Sequence, residues 1–196
     1  MKSVAQRRRE IAIAGHVGDV ETARSALLDD DPTVRCTALG AMHRLSALTT
    51  HELTTAFVDP VFSVRRRAAE VAALYPEVSL ESLLHDSDAT VVEVAAWSCG
   101  EHEVVSSAVL DRLIELATVH DEALVREAAV AALGAIGDER GLPAVLAGCT
   151  DKPTIRRRAV LALAPYDGPE VDAALAAALA DRDWQVRQAA EDLLGA

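Results

Sequence analysis

The side chains best suited to catalysis or metal binding are the histidines, and their spacing predicts neither. No two of them form the HxxxH or HExxH spacing that places imidazoles on one helical face. The pairs His51-Glu52 and His102-Glu103 come nearest to a metal-binding set, but no further pair repeats in register with them. Serine-nucleophile, phosphate-loop and dinucleotide motifs are absent from the sequence. We therefore expect a protein that is not an enzyme, without a catalytic site, metal or cofactor, and with its histidines on the surface or at helix ends.

The cysteines and the apolar runs indicate where the protein works. Cys36, Cys99 and Cys149 are odd in number and far apart, and no secretory leader precedes them. No run approaches the roughly 18 apolar residues that a membrane span needs. These features favour a reducing, cytoplasmic setting without membrane insertion.

Three arginine triplets are the nearest approach to a nucleic-acid signal. They are Arg7–Arg9, Arg65–Arg67 and Arg156–Arg158. The formal net charge of −12 opposes a general affinity for phosphate backbones, which depends on clustered Lys and Arg. Nucleic acid is therefore an unlikely partner, and most of these arginines are expected to be solvated charges with apolar stems.

Composition and repetition identify the elements that carry these residues. Hydrophobic residues make up 51% of the 196 but aromatics only 3%, which favours closely packed helices over sheets. Six copies of one pattern occur along the chain. Each copy has an Asp-containing turn, then a β-branched anchor residue, then in most copies an arginine, and finally an alanine-rich stretch. Their anchors are Val34, Val64, Val91, Val125, Ile155 and Val186. The intervals of 30, 27, 34, 30 and 31 residues suit two short helices and two turns each.

Within a copy the apolar residues recur at helical spacing. In the fourth copy they predict an amphipathic helix that starts at a cap from Asp121 and ends at Gly137. Shorter helices are predicted between these longer ones, so that each unit is a hairpin. Their expected ranges are Val20–Leu28, Leu80–Leu84, Ala108–Ala117, Leu142–Ala147 and Val171–Ala180.

The stretch DEALVREAAVAALGAIGDERGLPAVL, from Asp121, resembles HEAT repeats of the phycobilisome-lyase-like class, whose pattern is DxxxxVRxxAxxALGxxGD. The resemblance implies an all-α fold, an α-solenoid of about six helical hairpins. It also implies a single solenoid domain over residues 1–196, with residues 1–17 as an N-terminal capping half-repeat. The resemblance implies that the arginine after the anchor is a structural clamp, which bonds to groups in the turns between neighbouring repeats. That role falls on Arg35, Arg65, Arg126, Arg156 and Arg187.

The third repeat departs from the pattern and directs attention to one surface. Val92 stands where the clamp arginine is expected, and Trp97 follows between Glu93 and Glu101 on one helical stripe. Second helices of HEAT hairpins line the concave face, so Trp97 is either an aromatic anchor for a bound peptide or a packing residue between helices. Trp184, in the turn before the last repeat, is expected to pack. The predicted partner-binding strip on the concave face is Arg66, Arg67, Glu93, Trp97, Glu101, Glu127, Arg157 and Arg158.

The expected function is that of a non-enzymatic scaffold or adaptor that binds a partner protein or peptide on this face. Two alternatives stay open. The resemblance also covers the bilin lyases, which would make the chain a bilin-lyase-like enzyme subunit, although no residue here marks a tetrapyrrole pocket. A nucleic-acid-binding HEAT-like protein is the other alternative, and the negative net charge disfavours it.

Overall fold

The structure is a computed structural model that describes residues 2–195. This part of the chain holds twelve α-helices and no strand, so the predicted all-α class is confirmed. The helices are α1 (Val4–Val17), α2 (Val20–Ser25), α3 (Pro32–Arg44), α4 (Thr50–Ala56), α5 (Phe62–Ala72), α6 (Ala89–Cys99), α7 (Ser107–Val119), α8 (Ala123–Ile136), α9 (Leu142–Gly148), α10 (Pro153–Ala162), α11 (Pro169–Leu179) and α12 (Trp184–Leu194). Short 3₁₀ helices span Ala26–Leu28, Leu83–His85 and Glu139–Gly141.

The helices form two layers of a solenoid. In the first layer α1, α3, α5, α6, α8, α10 and α12 pack side by side in that order, and we call these the second helices. The first helices α2, α4, α7, α9 and α11 each pack against the second helix that follows. All six anchors are buried in the shared core. The arrangement confirms an α-solenoid, while the assignment of residues 1–196 to one domain with a half-repeat at 1–17 stays a prediction whose ends, Met1 and Ala196, lie outside the described residues.

The third repeat lacks an α-helical first arm. The helix predicted over Leu80–Leu84 is wrong, because this segment contains only the 3₁₀ turn Leu83–His85. Pro76 removes a backbone N–H donor from this segment, which disfavours starting an α-helix there. Leu80, Leu83 and Leu84 are nevertheless fully buried. The helical spacing of these leucines therefore predicted their burial correctly, but it did not predict that the segment forms only a short 3₁₀ turn.

Aspartates begin several second helices by accepting backbone N–H groups. Asp31, Asp88 and Asp183 each cap a helix in this way. The predicted cap from Asp121 is wrong: the N-cap residue of α8 is Glu122, and it makes no side-chain cap hydrogen bond. At the other end of α8, Gly137 takes the left-handed conformation with φ 68°, as predicted.

Arginine–aspartate clamps connect successive repeats. Arg35 donates from Nε and Nη2 to both carboxylate oxygens of Asp59, at 2.8 Å each, and from Nη1 to the carbonyl of Asp29. Both members are largely buried, and the aspartate raises the pKa of Arg35. The same two-pronged pairing joins Arg7 to Asp29, Arg65 to Asp86, Arg126 to Asp151 and Arg156 to Asp181.

The predicted scaffold role is therefore confirmed for four of the five arginines in carboxylate pairs. Arg187 instead donates to the carbonyl of Asp181. Arg7 was not predicted as a clamp, although the first member of each arginine triplet has this role.

None of the described helices has the length and apolar content required to cross a membrane.

Candidate functional site

A groove of about 530 Å³ crosses four second helices, α5, α6, α8 and α10. All its walls come from these helices and from Gly100 and Glu101 just beyond α6, so it faces away from the first helices. Its lining residues are Arg66, Glu70, Glu93, Val94, Trp97, Gly100, Glu101, Leu124, Glu127, Ala128, Ala131, Ala132, Ala135 and Arg158.

Trp97 occupies the α6 wall of this groove and is 47% exposed. The residues before it, Val91, Val92, Ala95 and Ala96, are buried and fix the helix face that points into the core. Trp97 follows directly, and four of the six residues that α8 contributes to the groove are alanines. Their small side chains leave room for the groove, and about half of the surface of Trp97 is exposed to solvent.

The close approach of α6 and α8 forms the floor beside Trp97. A Cβ atom at Gly100 would lie 3.0 Å from the Cα of Ala132, tighter than ordinary contact. Glycine here lets the two helices meet closely where α6 ends. Leu124, 60% exposed on α8, adds apolar surface at the rim of the groove.

The charges of the groove are arranged as four glutamates between two arginines. Glu70 pairs with Arg67 at 2.7 Å, and Glu127 lies 3.9 Å from Arg158. The carboxylates of Glu93 and Glu101, on either side of Trp97, form no ion pair or hydrogen bond within residues 2–195. The centre of the groove is therefore negative and the two ends are positive.

Six of the eight residues predicted for the strip line this groove, and two do not. Arg67 lies over α3, where a Cβ at Gly40 would be 2.6 Å from its guanidinium. Arg157 is exposed on α10 outside the groove, and its neighbour Arg158 faces in. The prediction counted the same number of residues from each anchor and so ignored the rotation between successive repeats. On α10 the residue that faces the groove is therefore one position later than this count predicts. Whether the strip binds a partner stays a prediction.

Sequence reasoning missed several lining residues. Ala131 and Ala135 stand at the same offsets from Val125 as Trp97 and Glu101 do from Val91, so the same count could have found them. Glu70 also stands at this offset, six residues after Val64. Val94 and Leu124 carry no sequence signal that separates them from ordinary helix residues.

The clamp is missing at the junction between α6 and α8, directly beside the groove. Val92 is buried in place of the arginine, and the turn position that elsewhere holds aspartate is His120. His120 Nδ1 accepts the backbone N–H of Glu122 at 3.1 Å, as Asp59 Oδ1 does from Val61 at 2.9 Å. The imidazole thus preserves the turn without offering a carboxylate to an arginine.

The other tryptophan, a histidine and two cysteines that the sequence singled out lie outside the groove. Trp184 was expected to pack, but it is 64% exposed at the start of α12. His102, just beyond α6, is buried and donates from Nε2 to the carbonyl of Ala72 at 2.9 Å. Burial raises the pKa of Cys99 to about 12 and that of Cys149 to about 11, which makes both poor nucleophiles. The described residues contain no cluster of three His, Cys, Asp or Glu side chains that could hold a metal.

Comparison with known families identifies the repeat type. Residues 77–164 match the family HEAT repeats. None of the curated proteins matches the chain. The match spans the divergent third repeat and the groove walls from α6, α8 and α10, so this region keeps the pattern of the family despite the lost clamp.

Solved structures extend the likeness over the chain. The Escherichia coli protein YibA is similar with a TM-score of 0.76 and 20% identity, over 100% of this chain and 77% of that one. The complex of CpcE and CpcF of phycocyanin lyase from Nostoc is similar with a TM-score of 0.64 and 22% identity, over 90% of this chain and 76% of that one. A designed armadillo repeat protein in complex with the peptide (KR)4 gives 0.53 and 17%, over 96% and 85%. These likenesses show the fold, and the resemblance to HEAT repeats is confirmed.

Proposed function

We propose that the protein is a non-enzymatic scaffold or adaptor that binds a segment of a partner protein in the groove around Trp97. The observation that carries this proposal is a half-exposed tryptophan on an alanine floor, flanked by unpaired carboxylates. Tryptophan is enriched among the few residues that dominate binding energy at interfaces. An exposed indole within a groove built by four helices is suited to that role.

The groove supports a macromolecular partner more than a small molecule. It is open along its length and crosses four helices, so a chain can lie across it without entering an enclosed pocket. Two structures of similar fold contain protein or peptide partners: one is the complex of CpcE and CpcF, the other a designed repeat protein with a peptide. Four glutamates in the groove disfavour a phosphate backbone. We place this activity in the cytoplasm, in keeping with the free cysteines.

The test uses the second exposed tryptophan as a matched control. Random peptides of about nine residues, long enough to cross four helices in extended form, are displayed and selected against the purified protein. Trp97→Ala should weaken binding of the selected peptides by ~2 kcal/mol or more, and Trp184→Ala should leave it unchanged. Affinities are measured by fluorescence anisotropy.

Stability of each variant is measured by thermal denaturation alongside binding. Because Trp97 is half exposed, its truncation should change the melting temperature little. If Trp97→Ala lowers the melting temperature while every selected peptide still binds as before, Trp97 is a packing residue and the proposed groove is not the binding surface.

A further inference from the structure

We infer that the partner segment carries an arginine or lysine at its centre, whose cationic group seats on Trp97 between Glu93 and Glu101. This inference rests on the proposed function and specifies the chemistry of the occupant. It follows from the indole, the two free carboxylates and the end of α6, which meet at one place in the groove.

Helix geometry brings the three side chains into line. Glu93 and Trp97 are four residues apart, and Glu101 follows four residues later, where the chain leaves α6. At a rise of about 1.5 Å per residue, the backbone positions of Glu93 and Trp97 are roughly 6 Å apart along the helix axis, and Glu101 lies in the turn that follows α6. A cation over the ring is attracted to its face and lies within reach of a carboxylate on each side.

The two carboxylates beside Trp97 have no positively charged partner in the described part of the protein. Glu70 and Glu127 have arginine neighbours, whereas Glu93 and Glu101 have none in the described part of the chain. Glu93 is only partly exposed, which weakens solvent screening of its charge. The C-terminal end of α6 lies at Cys99, so the negative end of the helix dipole is directed to the same place.

The ends of the groove place further requirements on the occupant. Arg66 on α5 is one helix spacing from Trp97, and Arg158 on α10 is two spacings away on the other side. With helices about 8–10 Å apart and about 3.3 Å per extended residue, these spacings correspond to roughly three and roughly five to six residues. The groove therefore fits a segment with a central basic residue and acidic residues near both ends.

The experiment asks whether the basic residue is selected and whether its charge is what the groove recognises. Peptides of about nine residues are selected on the wild-type protein after removal of those that bind Trp97→Ala. We expect arginine or lysine at one central position. Replacing that arginine with citrulline, or that lysine with acetyl-lysine, should weaken binding at least tenfold, because each neutral analogue keeps nearly the same shape.

A second variant separates charge from packing. Glu93→Gln/Glu101→Gln keeps the size of both side chains at positions that the core does not use, so the protein should fold normally. It should lose most of the preference for arginine over citrulline, and for lysine over acetyl-lysine, and bind with less dependence on salt. Glu77→Gln/Glu81→Gln, a matched change on exposed residues outside the groove, should alter neither property.

The outcomes distinguish this inference from the proposed function. Peptides that require Trp97 but lack a basic residue, or that tolerate its neutral analogue, overturn the inference and leave the binding groove in place. Failure to recover any peptide that prefers the wild-type protein over Trp97→Ala overturns both. A central basic residue whose neutralisation weakens binding only when Glu93 and Glu101 are present supports both.

Discussion

Two kinds of junction join the repeats of this solenoid. Five junctions among the described residues carry an arginine–aspartate clamp, from Arg7–Asp29 to Arg156–Asp181. The junction between α6 and α8 has Val92 and His120 instead. Both partners of the clamp are replaced together there, so neither side leaves an unpaired charge in a buried position.

The difference shows how one repeat can depart from the pattern without losing its fold. Apolar packing between α6 and α8 replaces the ion pair, and Ser98 and His102 bond α6 to backbone carbonyls of α5. The same junction supplies Trp97 and the floor of the groove. Local departures from the rules of a repeat are expected where a surface serves binding rather than stability.

Acid should affect the clamped junctions most, because several carboxylates respond together. Arginine hydrogen bonds lower the pKa of Asp29, Asp86, Asp151 and Asp181 below the ordinary value of 3.8. Since the folded pKa lies below the unfolded one, the stabilisation is complete above about pH 4 and is lost as pH falls through the folded value. Circular dichroism during denaturation should show stability falling steeply below about pH 4, and less steeply in Asp86→Asn. An equal slope in both proteins would contradict the assignment to the clamps.

Breaking a single clamp should have the next largest effect. Asp86 is 6% exposed and accepts two hydrogen bonds from Arg65, at 2.6 and 2.8 Å. Asp86→Ala leaves the largely buried guanidinium without its carboxylate, although it keeps the carbonyl of Asp59, and the loss should cost about 3–5 kcal/mol in urea denaturation. Asp111→Ala breaks the exposed pair with Arg140 and serves as the control, with an expected loss of at most about 1 kcal/mol. Equal losses in the two variants would show that clamp burial is unimportant.

Restoring the clamp at the open junction tests the comparison directly. Val92→Arg alone should destabilise the protein by about 3 kcal/mol, because a buried charge lacks a carboxylate. His120→Asp in the same chain should recover about 1–3 kcal/mol of that loss as a coupling energy in a double-mutant cycle. Additive effects of the two changes would mean that this junction differs from the others in geometry as well as in side chains.

The smallest expected effect concerns the hydrogen bond that joins α6 to α5. Ser98 Oγ donates to the carbonyl of Ala69 at 2.9 Å and is fully buried. Ser98→Ala should lower the free energy of unfolding by about 1 kcal/mol, and Ser87→Ala, at an exposed position without such a bond, by less than about 0.5 kcal/mol. A neutral Ser98→Ala would show that apolar packing alone holds the third repeat.

The sequence by itself determined the helical class, the repeat interval, the buried anchors and four of the five arginines that act as clamps. The helical class and the buried anchors depend on spacing within a turn or two of one helix, where side chains three and four residues apart share a face. The interval depends on the recurrence of the turn, and the clamp role on the resemblance to HEAT repeats. The break at Val92 was also visible, as was the stripe that contains Trp97.

Only the tertiary structure decided which residues meet across repeats. It assigned an aspartate partner to each clamp, showed that His120 preserves its turn, exposed Trp184, and excluded Arg67 and Arg157 from the groove while including Arg158. These outcomes depend on the rotation and close approach of successive helices, for which glycines such as Gly100 leave room. That rotation is set by packing between residues about 30 positions apart, beyond the reach of any local pattern.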